Sequence, residues 1–245
     1  MTTLKMKILL SNDDGYDSEG IIQLYNVLSS KHEVYIFCPC VNRSASSSCL
    51  SVKKDLKIEK KESNHYTVDG TPADSVHIGL NYLSNIDFDL VIAGINSGPN
   101  LGDDVIYSGT VAAAIEGRHL KNSPIAVSLV NNAEISFKDA AEIFCFIFEK
   151  EIIGNKYLEK TIININIPKK PNPSKISYTK LGYRGLPKPA IKINEDFYQI
   201  GDAGIPVGVN EGTDFYAVRK GHVSITPITL DLTNYKILES IKNER

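Results

Sequence analysis

The sequence lacks several features that assign proteins to common classes. No apolar run approaches the roughly 20 residues that a membrane span needs, and the N-terminus has no apolar leader followed by small residues. The formal net charge is −2, so the chain lacks the basic excess with which general nucleic-acid binders displace counterions. We therefore expect a cytoplasmic protein with no membrane and no nucleic-acid partner. A small phosphorylated ligand is compatible with these absences, because one local site can bind it.

Several catalytic and metal-binding motifs are also missing. The four cysteines do not have the two-residue spacings of a zinc site, and no two of the five histidines stand at metal-ligand spacing. There is no Gly-x-Ser-x-Gly elbow and no Gly-Lys-Thr phosphate loop. We interpret the cysteines as free thiols in a reducing compartment, and a hydrolase triad has no support.

What the chain does contain is a series of β-α repeats. Lys7–Ser11 is a short apolar run typical of a buried parallel strand, and it is followed by helical spacing of apolar residues and a second strand at Glu33–Phe37. Asp89–Ile95 gives the strongest buried-strand pattern. The pattern predicts an α/β fold with a mostly parallel, Rossmann-like sheet covered by helices.

The character of the sequence changes after residue 167. A proline-rich segment marks a loop, and the short strand-like runs beyond it predict hairpins rather than β-α units. These runs are 176–179, 190–193, 197–200 and 215–218, and a terminal helix is expected from Asp231 onward. We predict a single domain, 1–245, composed of a core at 1–167 and a hairpin-rich C-terminal part at 168–245.

Three polar segments follow predicted strands, at 12–15, 42–44 and 96–110. In open α/β sheets, ligands bind beyond the carboxyl ends of the strands. Adjacent carboxylates such as Asp13 and Asp14 repel each other and tolerate burial best with a cation between them. Oxygen ligands suit Mg²⁺ or Mn²⁺. Taken alone, Asp-Asp-Gly is equally consistent with an ordinary turn or helix cap.

Ser108, Gly109 and Thr110 directly precede an alanine-rich helix. Backbone N–H groups at a helix start, with two hydroxyls beside them, form an anion site. The alternative is an ordinary Ser or Thr cap, which is the commoner role of such residues.

Several motifs together resemble the SurE (survival protein E) family, and the resemblance extends over nearly the whole chain. The matching segments are 8–15, 42–44, 70–74, 94–104, 107–117 and 221–227. The resemblance implies a Rossmann-like core with a hairpin-rich C-terminal part through which the chain forms a homodimer or homotetramer. It implies a cytoplasmic 5′- and 3′-nucleotidase acting on nucleoside monophosphates, with some members also hydrolysing short polyphosphate.

The resemblance also implies site residues. One divalent metal ion, Mg²⁺ or Mn²⁺, would bind Asp13, Asp14, Ser44 and Asn96. As a separate hypothesis on the mechanism, we expect one of the two aspartates also to accept a proton from water. Asn96, Ser108, Gly109 and Thr110 would bind phosphate. The chain departs from the family at Cys40, where Asp is usual, and at Ala45, where Gly is usual.

Two other functions are weighed against this one. A haloacid-dehalogenase-type phosphatase needs Asp-x-Asp after the first strand, whereas Asp13 and Asp14 are contiguous. A nucleotide- or metal-binding regulatory protein without turnover would use the same ligands, so the sequence does not separate it from an enzyme.

Overall fold

The computed structural model describes residues 5–131, 133–172 and 174–244. Its strands are β1 Lys7–Ser11, β2 Glu33–Pro39, β3 Ile58–Lys60, β4 His65–Val68, β5 Leu90–Ser97, β6 Ile125–Leu129, β7 Ile162–Ile167, β8 Ile176–Tyr178, β9 Tyr183–Arg184, β10 Ile191–Lys192, β11 Tyr198–Gln199, β12 Pro206–Val207 and β13 Val223–Ile228. Its α-helices are α1 Glu19–Leu28, α2 Pro72–Tyr82, α3 Gly109–Glu116, α4 Phe137–Ile147, α5 Asp214–Arg219 and α6 Tyr235–Asn243. Two 3₁₀ helices, Gly102–Tyr107 and Lys156–Leu158, and a short π-helix, Phe148–Ile152, lie between them.

A nine-stranded sheet in the order β3-β4-β2-β1-β5-β6-β7-β13-β8 forms the centre of the molecule. The six strands from β4 to β7 in this order run parallel to one another. β3 pairs antiparallel at one edge, and β13 pairs antiparallel to β7 near the other. The predicted α/β class with a mostly parallel sheet is therefore confirmed.

The three central residues of strand β1, Ile8 to Leu10, are all apolar because both faces of the sheet are covered. Ile8 and Leu10 pack into a core with residues of α1 and α4, whereas Leu9 packs into a second core with residues of α2 and α3. Successive side chains of a strand point to opposite faces, so a strand between two helical layers needs no polar alternation. This arrangement leaves the carboxyl end of β1 free to present Asp13 and Asp14.

Strand β7 does alternate, and the structure explains why. Ile163, Ile165 and Ile167 lie in the core with α1 and α4. Asn164 and Asn166 are fully buried on the opposite face, where their side-chain amides both donate to the carbonyl of Asn100 at 2.8 and 2.9 Å. The polar face of β7 thus supports a loop that follows β5.

The C-terminal part contributes to the main sheet as well as forming small sheets of its own. β10 and β11 form a hairpin within the runs predicted at 190–193 and 197–200, and β9 pairs antiparallel with β12. β8 falls within the run predicted at 176–179, but it pairs parallel to β13 rather than in a hairpin. The predicted terminal helix is α6.

The prediction of a strand at 215–218 is wrong, because these residues lie in helix α5. Thr213 caps this helix by accepting a hydrogen bond from the backbone N–H of Tyr216 at 3.4 Å, and Asp214 lies in its first turn. A cap and an acidic first turn favour a helix, whereas a four-residue apolar run cannot distinguish the two states.

Across residues 5–131, 133–172 and 174–244, none of the helices has the length and apolar character required to cross a bilayer.

Candidate active site

A cavity of about 280 Å³ lies where the loops after β1, β2 and β5 meet the start of α3. Its lining includes Asp13, Ser44, Asn96, Asp104, Tyr107 and Ser108. Four sequence-predicted residues, Asp13, Ser44, Asn96 and Ser108, therefore share one cavity although they come from three separate segments of the sequence. The other three, Asp14, Gly109 and Thr110, do not line it but contact residues beside it.

Asp13 is buried, with 4% of its surface exposed. Its Oδ1 accepts a hydrogen bond from the Thr110 hydroxyl at 2.6 Å, and its carbonyl accepts one from the backbone N–H of Arg43 at 2.7 Å. Burial raises the pKa of Asp13; the Thr110 hydrogen bond lowers this pKa, and the charge of Asp14 raises it. A buried carboxylate of this kind is costly without a compensating charge.

Asp14 links the carboxyl end of β1 to the carboxyl end of β5. Its Oδ2 accepts from the backbone N–H of Ser97 at 3.0 Å, next to Asn96, and its Oδ1 accepts from the side-chain amide of Asn42 at 3.5 Å. Because Asn42 lies in the loop after β2 and Ser97 is the last residue of β5, Asp14 joins both segments to the end of β1.

Ser44 is held by a local turn. Both its backbone N–H and its hydroxyl donate to Oδ1 of Asn42, at 2.9 and 2.8 Å. The hydroxyl proton is therefore engaged, and the oxygen lone pairs of Ser44 stay available to a cation. Ala45, the next residue, has φ of +59°, so the backbone here adopts the left-handed conformation that Gly would take more readily.

Asn96, near the end of β5, is oriented by the loop that follows the strand. Its side-chain amide donates to the carbonyl of Gly98 at 2.8 Å. This bond leaves Oδ1 as the ligating atom of the side chain, in agreement with a role towards a cation.

The Ser108 segment forms the N-terminus of α3. The Ser108 hydroxyl oxygen accepts from the backbone N–H of Val111 at 3.0 Å, so Ser108 is a helix cap, and its own O–H can still donate into the cavity. A Cβ at Gly109 would lie 2.8 Å from Cβ of Asp13 and 3.0 Å from its Oδ2. Glycine is therefore required for α3 to approach Asp13 this closely.

Sequence reasoning missed three contributors to the site. Asp104 and Tyr107 line the cavity. Asn166 supports the loop after β5: its Oδ1 accepts a hydrogen bond from the backbone N–H of Asn100 at 2.8 Å, and its side-chain NH₂ donates one to the carbonyl of Asn100. The Ile-Asn alternation in β7 carried a signal for Asn166, because a buried asparagine must have a hydrogen-bonding partner.

The electrostatics of the cavity are acidic. Asp13 and Asp104 line it, and no Lys, Arg or His is among the lining residues that the structure describes. Arg43, which directly precedes Ser44 in the sequence, forms an ion pair with Asp69 at 3.3 Å. Arg184 forms an ion pair with the cavity residue Asp104. No group of three His, Cys, Asp or Glu that could hold a metal occurs within the described ranges. A cation here would depend on a mixed set of carboxylate, hydroxyl and amide oxygens.

Comparison with known proteins gives a consistent result. The family model described as survival protein SurE matches residues 8–187. A 5′-nucleotidase SurE of Legionella pneumophila (strain Paris) is 42% identical, with 97% of this chain and 96% of the relative covered. One from Haemophilus influenzae (strain PittEE) is 45% identical, with 97% of each covered.

A solved structure agrees with these relatives. The crystal structure of the SurE protein from Aquifex aeolicus superposes with a TM-score of 0.84 at 40% identity, covering 97% of this chain and 98% of that one. The likeness therefore extends over nearly the whole of both chains. On these matches, the chain belongs to the SurE family.

Proposed function

We propose that this protein is a divalent-metal-dependent 5′-nucleotidase that hydrolyses nucleoside monophosphates to nucleoside and phosphate. The observation that carries the proposal is one cavity containing a carboxylate, a hydroxyl and an amide from three strand ends, beside the N-terminus of α3. The activity named for the Legionella and Haemophilus relatives supports it. Activity on 3′-nucleotides and on short polyphosphate is a finer part of the same proposal, implied by the family resemblance.

The donor set favours a hard divalent cation. Asp13, Asp14, Ser44 and Asn96 would hold it through oxygen atoms alone, which suits Mg²⁺ or Mn²⁺. A phosphate entering the cavity would otherwise meet carboxylates and no cationic side chain. When bound, such an ion offsets the charge of the phosphoryl group and lowers the pKa of water.

The residues of the chain then have distinct tasks. The O–H of Ser108 and the free N–H groups at the start of α3 bind the non-bridging oxygens of phosphate. The Thr110 hydroxyl occupies Oδ1 of Asp13, so Oδ2 is the oxygen better placed to accept a proton from the attacking water. The oxygen of water bonds to phosphorus as the ester P–O bond breaks, and the nucleoside leaves with a proton from solvent.

A substrate panel tests the proposal. We expect the protein to release phosphate from nucleoside 5′-monophosphates with Mn²⁺ or Mg²⁺ and to stop when EDTA is added. Asp14→Ala should lose nearly all activity, while Asp55→Ala, at an exposed residue outside the cavity, should retain it. Metal-independent release, or full activity in Asp14→Ala, would refute the proposal.

A nucleotide- or metal-binding regulatory protein without turnover is the second candidate. It uses the same cavity and the same ligands, so the shape of the site favours neither. Saturable binding of a nucleoside monophosphate without any phosphate release would favour this candidate over the enzyme.

We also propose that two or four copies assemble through the C-terminal part. Leu186 and Ile200 are 95% and 89% exposed, and α6 buries none of its residues although it carries Ile237, Leu238 and Ile241. Apolar side chains of this size are usually covered in the functional assembly. Light scattering should give a dimer or tetramer, and a monomer at micromolar concentration would exclude the proposal.

The cytoplasmic location stays part of the proposal. All four cysteines are free, which is the state expected of thiols in a reducing compartment. Detection of the protein in the cytoplasmic fraction of its own cells would test this location directly.

A further inference from the structure

Tyr107 is a large aromatic residue left open beside the proposed reaction site. It is 61% exposed, yet it lines the same cavity as Asp13 and Ser44. It also directly precedes Ser108, the first residue of the segment proposed to bind phosphate. Among the described residues its hydroxyl has no hydrogen bond and its ring has no aromatic partner. The site therefore includes a π-face that the fold itself does not use.

The backbone that carries this ring is well held. The carbonyl of Tyr107 accepts from the backbone N–H of Ser47 at 3.2 Å, and the carbonyl of Ile106 accepts from the Ser47 hydroxyl at 2.7 Å. The backbone N–H of Ser108 donates to the carbonyl of Val105 at 3.2 Å. The ring is thus presented from a fixed position, and holding the loop does not require its side chain.

The size of the cavity determines where a nucleobase can lie. Its volume of about 280 Å³ is at the lower end of pockets that enclose small ligands, roughly 300–1,000 Å³. With phosphate at the start of α3, a cavity of this size leaves little room for the sugar and the base together. The base must then project to the open mouth, where the exposed ring of Tyr107 lies.

We propose that Tyr107 stacks on the nucleobase and selects nucleotides over simple sugar phosphates. The inference rests on the proposed nucleotidase function and names the residue that recognises the nucleoside. An aromatic ring can stack on any of the nucleobases, because every base has a π-face. The structure thereby predicts a preference for nucleotides with little discrimination among bases.

Two substrates that differ only by the base provide the test. In the presence of Mn²⁺, we expect Tyr107→Ala to lower kcat/KM for AMP about tenfold, within the range that base–aromatic stacking provides, mainly by raising KM. The same variant should leave kcat/KM for ribose 5-phosphate nearly unchanged. Tyr107→Phe keeps the ring and should behave like the unmodified protein. Ile106→Ala, at an exposed neighbour outside the cavity lining, is the matched control.

The outcomes separate the inference from the proposed function. An equal loss on both substrates would mean that the ring only holds the loop, and no loss on either would mean that it is idle; both results overturn the inference. If the unmodified protein hydrolyses neither substrate, the proposed function fails, and calorimetric binding decides the inference instead. Tighter binding of AMP than of ribose 5-phosphate, abolished by Tyr107→Ala, would support it, and equal affinities would overturn it.

Discussion

Thr110 controls the environment of the most deeply buried carboxylate in the site. Its hydroxyl donates to Oδ1 of Asp13 at 2.6 Å. Thr110→Val keeps the shape but leaves this oxygen without its donor, at a cost of about 1–3 kcal/mol. We predict that Thr110→Val lowers kcat about tenfold or more while Thr110→Ser, which keeps the hydroxyl, retains most activity. Steady-state phosphate release measures both, and equal rates in the two variants would contradict this role.

Ala45 illustrates a departure from the family that has a structural consequence. Its φ of +59° costs a residue with a Cβ about 1–2 kcal/mol, and glycine avoids that cost while losing about 0.5–1 kcal/mol of chain entropy on folding. We therefore predict that Ala45→Gly raises the free energy of unfolding by about 0.5–1 kcal/mol. Urea denaturation tests it, with Ala45→Val as the destabilised comparison. A less stable Ala45→Gly protein would show that the loop is not strained.

The sequence predicted which residues meet at the site better than it predicted how each one is held. Asp13, Ser44, Asn96 and Ser108 share the cavity because strand ends converge at one edge of a parallel sheet. A role for Tyr107 in the site was not predicted, since an exposed aromatic residue at the end of a 3₁₀ helix carries no periodic signal. The partners of Asp14 depend on loop conformations that no local pattern encodes.

At the scale of elements, Asp214 joins the C-terminal part to the 3₁₀ helix Gly102–Tyr107, two residues of which line the cavity. Its fully buried carboxylate accepts backbone N–H groups of Gly102 at 2.7 Å, Gly182 at 2.9 Å and Phe215 at 2.8 Å. Asp214→Ala leaves these three donors buried without an acceptor. We predict a loss of about 3 kcal/mol or more in stability and faster amide exchange at 102–107.

Hydrogen–deuterium exchange and urea denaturation measure these two effects. Asp55→Ala, an exposed substitution, serves as the control for loss of one carboxylate. If exchange at 102–107 in Asp214→Ala matches the unmodified protein, the carboxylate does not anchor the 3₁₀ helix.

The elements themselves were predictable to different degrees. The helix start at Thr71 can be recognised in the sequence, because a Thr cap, a proline at the first helical position and an acidic residue in the first turn all act locally, and the structure has a full capping box there. The place of β13 between β7 and β8 could not be predicted from the sequence, because pairing between distant strands is decided by tertiary packing rather than by local pattern. The error at 215–218 had a different cause, since a four-residue apolar run fits either state and the cap at Thr213 with its acidic first turn decides for the helix.

For the whole molecule, His32 gives stability a dependence on pH. It is 4% exposed, and its Nδ1 accepts from the backbone N–H of Met6 at 3.3 Å. Burial lowers the pKa of His32 below the ordinary value of 6.5. The unfolded chain therefore binds a proton first as pH falls, so stability is highest above about pH 6.5 and declines below it.

A substitution isolates this contribution. His32→Gln can still accept the hydrogen bond but does not titrate. We predict that stability falls less between about pH 7.5 and about pH 5.5 in His32→Gln than in the unmodified protein. Guanidinium denaturation at the two pH values measures the difference, and identical declines would show that His32 is not the source.

The central claim is that Asp13 and Asp14 hold one divalent cation on which phosphate release depends. The most direct test is Mn²⁺ binding followed by electron paramagnetic resonance, with phosphate release from AMP measured on the same samples. We predict one bound Mn²⁺ per chain, with activity rising in parallel with occupancy, and the loss of both in Asp14→Ala. Unchanged Mn²⁺ binding in Asp14→Ala, or full activity in metal-free protein, would contradict the account.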